Sequence, residues 1–362
     1  MKRIAIAMTL LILLAGCGSA SSEVTEETVA VQTEAAAKPT ETQETLETVP
    51  QETTPERKTY TLTFAGDCTF GASPAVYYAQ LGFIKTVGDD FGYPFRNVRA
   101  YFEEDDFSMV NLEGPLGEVG NAVPKKHNFR GPVKYVQVLT ENSVEAVTIA
   151  NNHTMDYGPA CYESTLQTLK SAGVPFAEKD SSVTVTLADG LVIGIYATSY
   201  EQLDENDLVA EISALKQQGA DLVIYAAHWG VEGSYRANEY QTKLGHMAID
   251  AGADIVFGSH PHVLQPIEEY NGGVIYYSLG NFSFGGNCDP QDYDTALIQQ
   301  DVVREPDGQI LLGGRNIVPC SVSSVGNTNN FQPTPYEPGS EDYARVLAKL
   351  DGTYDGPNLR VG

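Results

Sequence analysis

Four of the six histidines in this 362-residue chain sit in short polar clusters, each directly after an apolar run. Asp67 closes Phe64-Ala65-Gly66-Asp67, and Glu113 follows Val110-Asn111-Leu112. Asn151-Asn152-His153 follows Ile149-Ala150, with Asp156 and Gly158 close behind. His228 ends Ala226-Ala227-His228, with Glu232 after it, and His260-Pro261-His262 follows Phe257-Gly258-Ser259. Imidazole suits zinc, iron, nickel and copper, whereas carboxylate and amide oxygens suit manganese, magnesium and calcium. A mixed nitrogen and oxygen set therefore points to one or two divalent ions, with Mn, Fe or Zn fitting best. Two such ions would clamp an attacking water and a substrate oxygen and lower the water's pKa. Singly, each cluster has a plainer explanation. Gly-Asp after a strand is commonly a turn, Glu113 could cap a helix or form an ion pair, and His228 could be a satisfied core histidine. Their joint occurrence after successive apolar runs argues for a metal or catalytic site. His127, in a basic loop-like segment, and His246, mid-helix, fall outside the pattern and are expected to be structural.

Those clusters need a frame, and seven nearly continuous apolar runs supply it: Tyr60–Ala65, Ser108–Leu112, Ala146–Ala150, Leu191–Ala197, Leu222–Ala227, Ile255–Phe257 and Val274–Leu279. Runs of this kind read as strands buried on both faces. Helical stretches lie between some of them. Pro159–Ala172 opens on proline and is followed by Gly173, the usual asymmetry of helix ends; Asp207–Gln218 and Asn238–Ala251 are closed by Gly219 and Gly252. Alternating strands and helices imply an α/β fold with a mixed sheet or paired sheets. Ligands in such folds gather beyond the carboxyl ends of the strands, where the polar clusters fall. After Asp289 the pattern is less regular: a strand at Ala296–Val303, a turn at Pro306-Asp307-Gly308, a strand at Ile310–Leu312 and an amphipathic helix at Glu341–Leu350.

The first residues read as an address. Lys2 and Arg3 precede a short apolar run, Ile4–Leu14, which ends in Leu14-Ala15-Gly16-Cys17. This resembles a bacterial lipobox, with cleavage before Cys17 and a lipid on that residue. Residues 18–56 carry nine Glu and one Lys. Such a segment buries too little apolar surface to offset its ordering entropy. The expected organisation is a signal peptide at 1–16, a lipid-anchored disordered linker at 17–58, a main domain at 59–288 and a segment at 289–362 that completes it. The formal charge of -26 argues against a nucleic-acid partner, since phosphate binding needs clustered Lys and Arg. Cys68, Cys161, Cys288 and Cys320 show no metal-site spacing, and their pairing is left open.

Taken together, Phe64–Asp67, Asn111–Leu116, Ala150–His153 with Asp156–Gly158, His228–Gly230 with Glu232, Gly258–Val263 and Ser278–Phe282 resemble the CapA/PgsA capsule-biosynthesis family. The resemblance runs in order from about Tyr60 to Phe284. That family is similar to calcineurin-like metallophosphoesterases. This implies two packed mixed β-sheets flanked by helices, a four-layer sandwich. It also implies Asp67, Glu113, Asn152, His228, His260 and His262 as metal ligands. His153 would be the general acid or a substrate-phosphate contact, oriented by Asp156, and Glu232 and Asn281 would line the pocket. Two departures stand out. Asp67-Cys68-Thr69 lacks the histidine of the phosphoesterase Asp-x-His motif, and Glu113 replaces the Asp of a Gly-Asp motif, leaving one metal position with fewer ligands. Cys68 is a tempting substitute, but strand neighbours point to opposite faces, so a buried thiol is expected.

The function implied is a subunit of poly-γ-glutamate synthesis or export, held by its lipid at the outer face of the cytoplasmic membrane. Its partners would be the membrane subunits of that machinery and the anionic polymer. Two alternatives remain: a stand-alone metal-dependent envelope hydrolase acting on a phosphoester or γ-glutamyl amide, and a non-catalytic polymer-binding scaffold. The intact histidines count against the last. The acidic chain would repel polyglutamate unless bound cations or the patch Lys125, Lys126, Arg130 and Lys134 offset it; otherwise that patch is a solvated loop.

Overall fold

The computed structural model describes residues 56–73, 82–200 and 203–360. Cys17 and the expected signal peptide and linker up to residue 55 lie outside the described residues. The chain runs through β1 (Lys58–Thr69), α1 (Phe83–Val87), α2 (Arg99–Glu103), β2 (Phe107–Leu112), α3 (Gln137–Thr140), β3 (Ala146–Thr148), α4 (Pro159–Ala172) and β4 (Phe176–Ala177). It continues through β5 (Ser181–Thr186), β6 (Val192–Ser199), α5 (Glu205–Gln217), β7 (Leu222–His228), α6 (Glu239–Asp250), β8 (Ile255–Ser259), β9 (Ile267–Tyr270) and β10 (Gly273–Tyr276). Last come β11 (Asn281–Phe284), β12 (Asp294–Arg304), β13 (Ile310–Ser321), β14 (Thr334–Pro335) and α7 (Glu341–Leu350).

Two mixed sheets result. One is ordered β14-β13-β12-β1-β2-β3-β4, with β11 also pairing to β1; the other is β5-β6-β7-β8-β10-β9. They pack face to face through Phe64, Met109, Ile195, Ile224, Phe257, Tyr276 and Ile298. The Phe64 ring sits 5.6 Å from Phe257 and 5.7 Å from Tyr276, and fully burying each such side chain stabilises by about 1.5–3 kcal/mol. On the outer face of the first sheet, Phe95, Phe102, Leu166 and Leu169 cover Val110 and Val147. On the outer face of the second, Leu208, Ile212 and Leu215 of α5 and Leu244 and Ala248 of α6 cover Val223, Tyr225 and Val256. The order helix, sheet, sheet, helix is the four-layer arrangement.

Local chemistry sets the boundaries. Pro159 at the first turn and Gly173 in the left-handed conformation (φ 70°) delimit α4. Asn238 and Gln241 form a reciprocal capping box at the start of α6. β12 pairs antiparallel with β1 over Ile298–Arg304 and with β13 along its length, so the chain after residue 288 adds strands to the first sheet. Strands 1–3 and 6–8 run parallel within their sheets. Their carboxyl ends lie at one end of the sandwich and carry the polar clusters. The expectation that Asp67 follows the first strand needs correction. β1 continues to Thr69 through a bulge, where its register with β2 shifts between Phe64 and Asp67. Gly66 makes the bulge possible: a Cβ there would lie 1.9 Å from the Gly280 carbonyl oxygen.

Candidate metal centre

The bulge turns Asp67 inward, fully buried. Its backbone N–H donates to the Gly280 carbonyl (2.8 Å). Oδ1 accepts from Asn111 Nδ2 at 2.8 Å, and Oδ2 lies 3.2 Å from His262 Nδ1. Glu113 leaves β2 with its N–H bound to the Cys68 carbonyl (2.8 Å) and its side chain fully buried. Neither Glu113 carboxylate oxygen has a hydrogen-bond partner. The nearest ring nitrogens are His262 Nε2 at 3.6 Å and His153 Nε2 at 3.7 Å. Burial pushes the Glu113 carboxyl well above the usual range, with the charges of Asp67, Glu232 and Asp156 adding to the shift and His262 opposing it.

His260 and His262 flank Pro261 on a turn in which both histidines take positive φ, 97° and 58°. Positive φ is costly for side chains with a Cβ and recurs at functional sites. The turn gives the two rings different environments. His260 is buried, packs at a tilt against the rings of Tyr200 (5.0 Å) and His228 (4.7 Å), and leaves Nδ1 unpaired. Burial, helped by the neighbouring His262 charge, lowers its pKa to about 3. Burial would also lower His262, but Glu113 and Asp67 outweigh it and raise that ring to about 10. His262 Nδ1 is also 3.0 Å from Asn281 Oδ1.

Ligand-capable atoms of Asp67, Glu113 and His262 lie within 4.8 Å of one another, as do those of Glu232, His260 and His262. Buried carboxylate oxygens and an imidazole nitrogen without partners are costly unless something completes them. This donor set fits a divalent cation. His262 belongs to both groups, so the two form one continuous centre.

The structure brings the other expected residues to the same end of the sandwich, in distinct roles. His228 is buried and uses both ring nitrogens: Nδ1 lies 2.9 Å from Ser259 Oγ, and Nε2 lies 3.0 Å from Asn152 Oδ1. Both residues expected as ligands thus pair with each other here. His153 Nδ1 contacts Asp156 Oδ2 at 2.7 Å, and Phe129 N–H donates to the same oxygen at 2.6 Å. Asp156 thereby fixes a proton on His153 Nδ1 and leaves Nε2 facing Glu113. Burial lowers the His153 pKa against the pull of Asp156, so the ring is neutral at pH 7. Cys68 points away from the site into the outer core, where burial drives its thiol pKa up strongly. Cys161, Cys288 and Cys320 are also free thiols.

Some contributors were missed as site residues. Asn111 bridges Asp67 and His228, and Asn151 Nδ2 holds the Asn111 oxygen (3.1 Å) and the Leu112 carbonyl (2.9 Å). Both amides stand inside the clusters, and their burial was the missing signal. The basic patch is also not one solvated surface. Lys125 pairs with Asp156 and reaches Asn152 O (2.9 Å), Lys134 pairs with Asp89, and Arg130 stacks on Tyr157. His127 lies on the pocket wall with Lys126. His246 pairs with Glu268 (2.9 Å) and stacks on Tyr270, away from the centre. The pocket above the centre holds about 400 Å³ and exposes His153, Glu232, His262 and Asn281.

A two-sheet α/β sandwich with a carboxylate-histidine centre at the carboxyl ends of its strands defines the class. The chain belongs to the bacterial capsule synthesis protein family PGA_cap, whose profile matches residues 61–286. It is 29% identical to the capsule biosynthesis protein CapA of Bacillus anthracis over 67% of this chain and 64% of that one. It is likewise 29% identical to the PGA biosynthesis protein CapA of Bacillus subtilis (strain 168), over 71% of this chain and 72% of that one. Among solved structures, it is similar to Haemophilus influenzae NAD nucleotidase (NadN), with 12% identity and a TM-score of 0.41 over 82% of this chain and 63% of that one. The chain thus spans just under two thirds of the length of the Bacillus anthracis relative.

Proposed function

We propose that this protein is a lipid-anchored, extracytoplasmic component of poly-γ-glutamate capsule synthesis or export, with a divalent-metal centre in its pocket. Family membership supports the capsule role. The observation that carries the metal centre is Glu113, buried with both carboxylate oxygens unpartnered beside Asp67 and His262. Asp67, Glu113 and His262 would hold one ion; Glu232 and His260, sharing His262, would hold a second or add ligands to the first. Bound there, a divalent ion supplies Lewis-acid polarisation of a carbonyl or phosphoryl oxygen. The chain's own residues do the rest. Asp156 holds the His153 tautomer, Lys125 neutralises Asp156, and the neutral His153 Nε2 stands ready to take a proton at the pocket floor.

The His153–Asp156 pair favours a second reading, a metal-dependent hydrolase of phosphoesters or γ-glutamyl amides, because a scaffold needs no oriented proton acceptor. His153→Gln should abolish turnover of such substrates while leaving metal content unchanged. For the capsule role, the test is polymer made by cells producing the full chain together with a polyglutamate synthesis system. Glu113→Gln should reduce released polymer to the level without the chain, and Cys17→Ala should move the protein from the membrane fraction to the soluble one. Undiminished polymer with Glu113→Gln would sever the centre from the capsule role.

A further inference from the structure

The pocket has a wall that comes from outside the family-matched segment. After α7, residues 351–360 form a strap that returns to the pocket, where Leu359 and Arg360 line the same cavity as His153, Glu232 and His262. The strap is fastened at several points. Asn358 Oδ1 accepts from Tyr235 N–H (3.1 Å), Arg236 reaches the Tyr354 and Gly356 carbonyls, and Tyr354 packs its ring 4.9 Å from Tyr235. Leu359 N–H donates to the Gly233 carbonyl at 2.9 Å, and Gly233 N–H donates to the Pro261 carbonyl at 2.8 Å. Gln291 holds the Arg360 carbonyl at 3.2 Å. The strap is thus tied through one residue to the His260-Pro261-His262 turn, and the Arg360 backbone is held while its side chain stays exposed.

The charges around this mouth are segregated. The floor is acidic and imidazole-rich. The rim carries Lys126, His127 and Arg360, all exposed, and among the described residues neither Lys126 nor Arg360 pairs with a carboxylate. Of the two acids that line this pocket, Asp292 is already committed to Lys349 (2.7 Å) and the Tyr235 hydroxyl (2.9 Å), and Glu232 belongs with His260 and His262. Two unpaired cations left on the rim of a pocket in a chain of net charge -26 are a local reversal of the molecule's field. A planar guanidinium in that place can take an oxyanion through two parallel hydrogen bonds.

We propose that Arg360, with Lys126 lining the same pocket, is an oxyanion-reading rim that grips a carboxylate or phosphate group of the ligand remote from the atoms at the pocket floor. The strap is then a specificity element that lets an acidic protein accept an acidic ligand in one orientation. This rests on the reading of the pocket as a ligand site, but not on the floor holding a metal.

The experiment is calorimetric titration of the full-length chain with inorganic phosphate and, separately, with glutarate, with and without added Mn. The variants are Arg360→Glu, Arg360→Lys and Lys126→Glu. Arg360→Glu and Lys126→Glu should each weaken binding by at least about tenfold, since each loses a charge-assisted contact and gains repulsion. Arg360→Lys should stay within about threefold for phosphate and lose more for glutarate if the planar fork reads a carboxylate. Metal content and thermal midpoint should match wild type in all three, because neither the Arg360 nor the Lys126 side chain is among the groups that fasten the strap. Binding of both anions by Arg360→Glu at wild-type affinity would overturn the rim, as would absence of binding to the wild type in both metal states. Loss of metal from the wild type with Arg360-dependent anion binding intact would leave the rim standing and remove the metal centre instead.

Discussion

The two central carboxylates differ in what the fold has done for them. Asp67 is satisfied by Asn111 and approached by His262, while Glu113 is buried with nothing donating to it. A buried, unpartnered acid destabilises the metal-free protein, and a cation that pairs with it stabilises the folded state by mass action, by about 2.7 kcal/mol at a hundredfold excess over the dissociation constant. Glu113→Gln should therefore unfold no earlier than wild type without metal, and should lose the rise in thermal midpoint that Mn or Zn gives the wild type. Gly66 is the second position where one atom decides. Its Cβ would collide with the Gly280 carbonyl oxygen, backbone against backbone. Gly66→Ala should cost about 1–3 kcal/mol in urea unfolding, the range of overpacking changes, and should weaken metal uptake by displacing Asp67.

At the scale of elements, α7 is joined to the start of β12 by a buried charge cluster. Lys349 and Asp294 are almost wholly buried; Lys349 contacts Asp292 and Asp294 at 2.7 Å each, and Arg345 contacts Asp294 at 2.6 Å. Burial raises the Asp294 pKa, but Arg345 and Lys349 more than reverse it and hold the carboxyl below its usual value. A depressed carboxyl contributes stability that is full above its unfolded pKa, about 3.9, and is lost as pH falls through the folded one. The stability gap between wild type and Arg345→Gln should accordingly be complete at pH 6 and close as acid drops below about pH 4; a gap independent of pH would contradict the assignment. Lys349→Met should cost about 3–5 kcal/mol, because it leaves Asp292 and Asp294 buried with less countercharge.

Elements also show how far the sequence was legible. α4 and α7 match the expected bounds because Pro159, Gly173, Ser340 and the acidic first turn of α7 are local punctuation. The strands β4, β5, β9, β11 and β14 were missed; four of them have two to four residues, too few to show a period, and β5 is a half-exposed edge strand of Ser, Thr and Val with no apolar run. The site followed the same rule. Clusters at strand ends could be read locally, and the structure brings Asp67, Glu113, His260 and His262 to one place. Glu232 was placed only as a pocket residue, yet it joins His260 and His262 in a candidate ligand group. Its partners lie across a turn whose positive φ angles no composition reveals. Lys125 was read only as part of a basic patch, and its pairing with Asp156 depends on a loop contact. Arg360 gave no signal for a plainer reason: it reaches the pocket on a strap placed by distant contacts.

Over the whole molecule, the first sheet supplies Asp67, Glu113 and His153, and the second supplies His228, Glu232, His260 and His262. The centre therefore exists only when the sheets are packed. Their shared core, with Phe64 against Phe257 and Tyr276, sets the distance between the two halves. Metal affinity should fall with sheet packing even when no ligand is touched: Phe257→Ala should lose about 3–5 kcal/mol of stability and weaken metal binding with it. The decisive measurement is the elemental metal content of the full-length chain purified without chelator, beside Glu113→Gln and the double variant His260→Ala, His262→Ala. About one to two transition-metal ions per chain in the wild type, lost in both variants, is the expected result. A wild-type chain that takes up no metal, even after incubation with Mn, Fe and Zn, would contradict the metal centre and leave the fold without the chemistry argued for it.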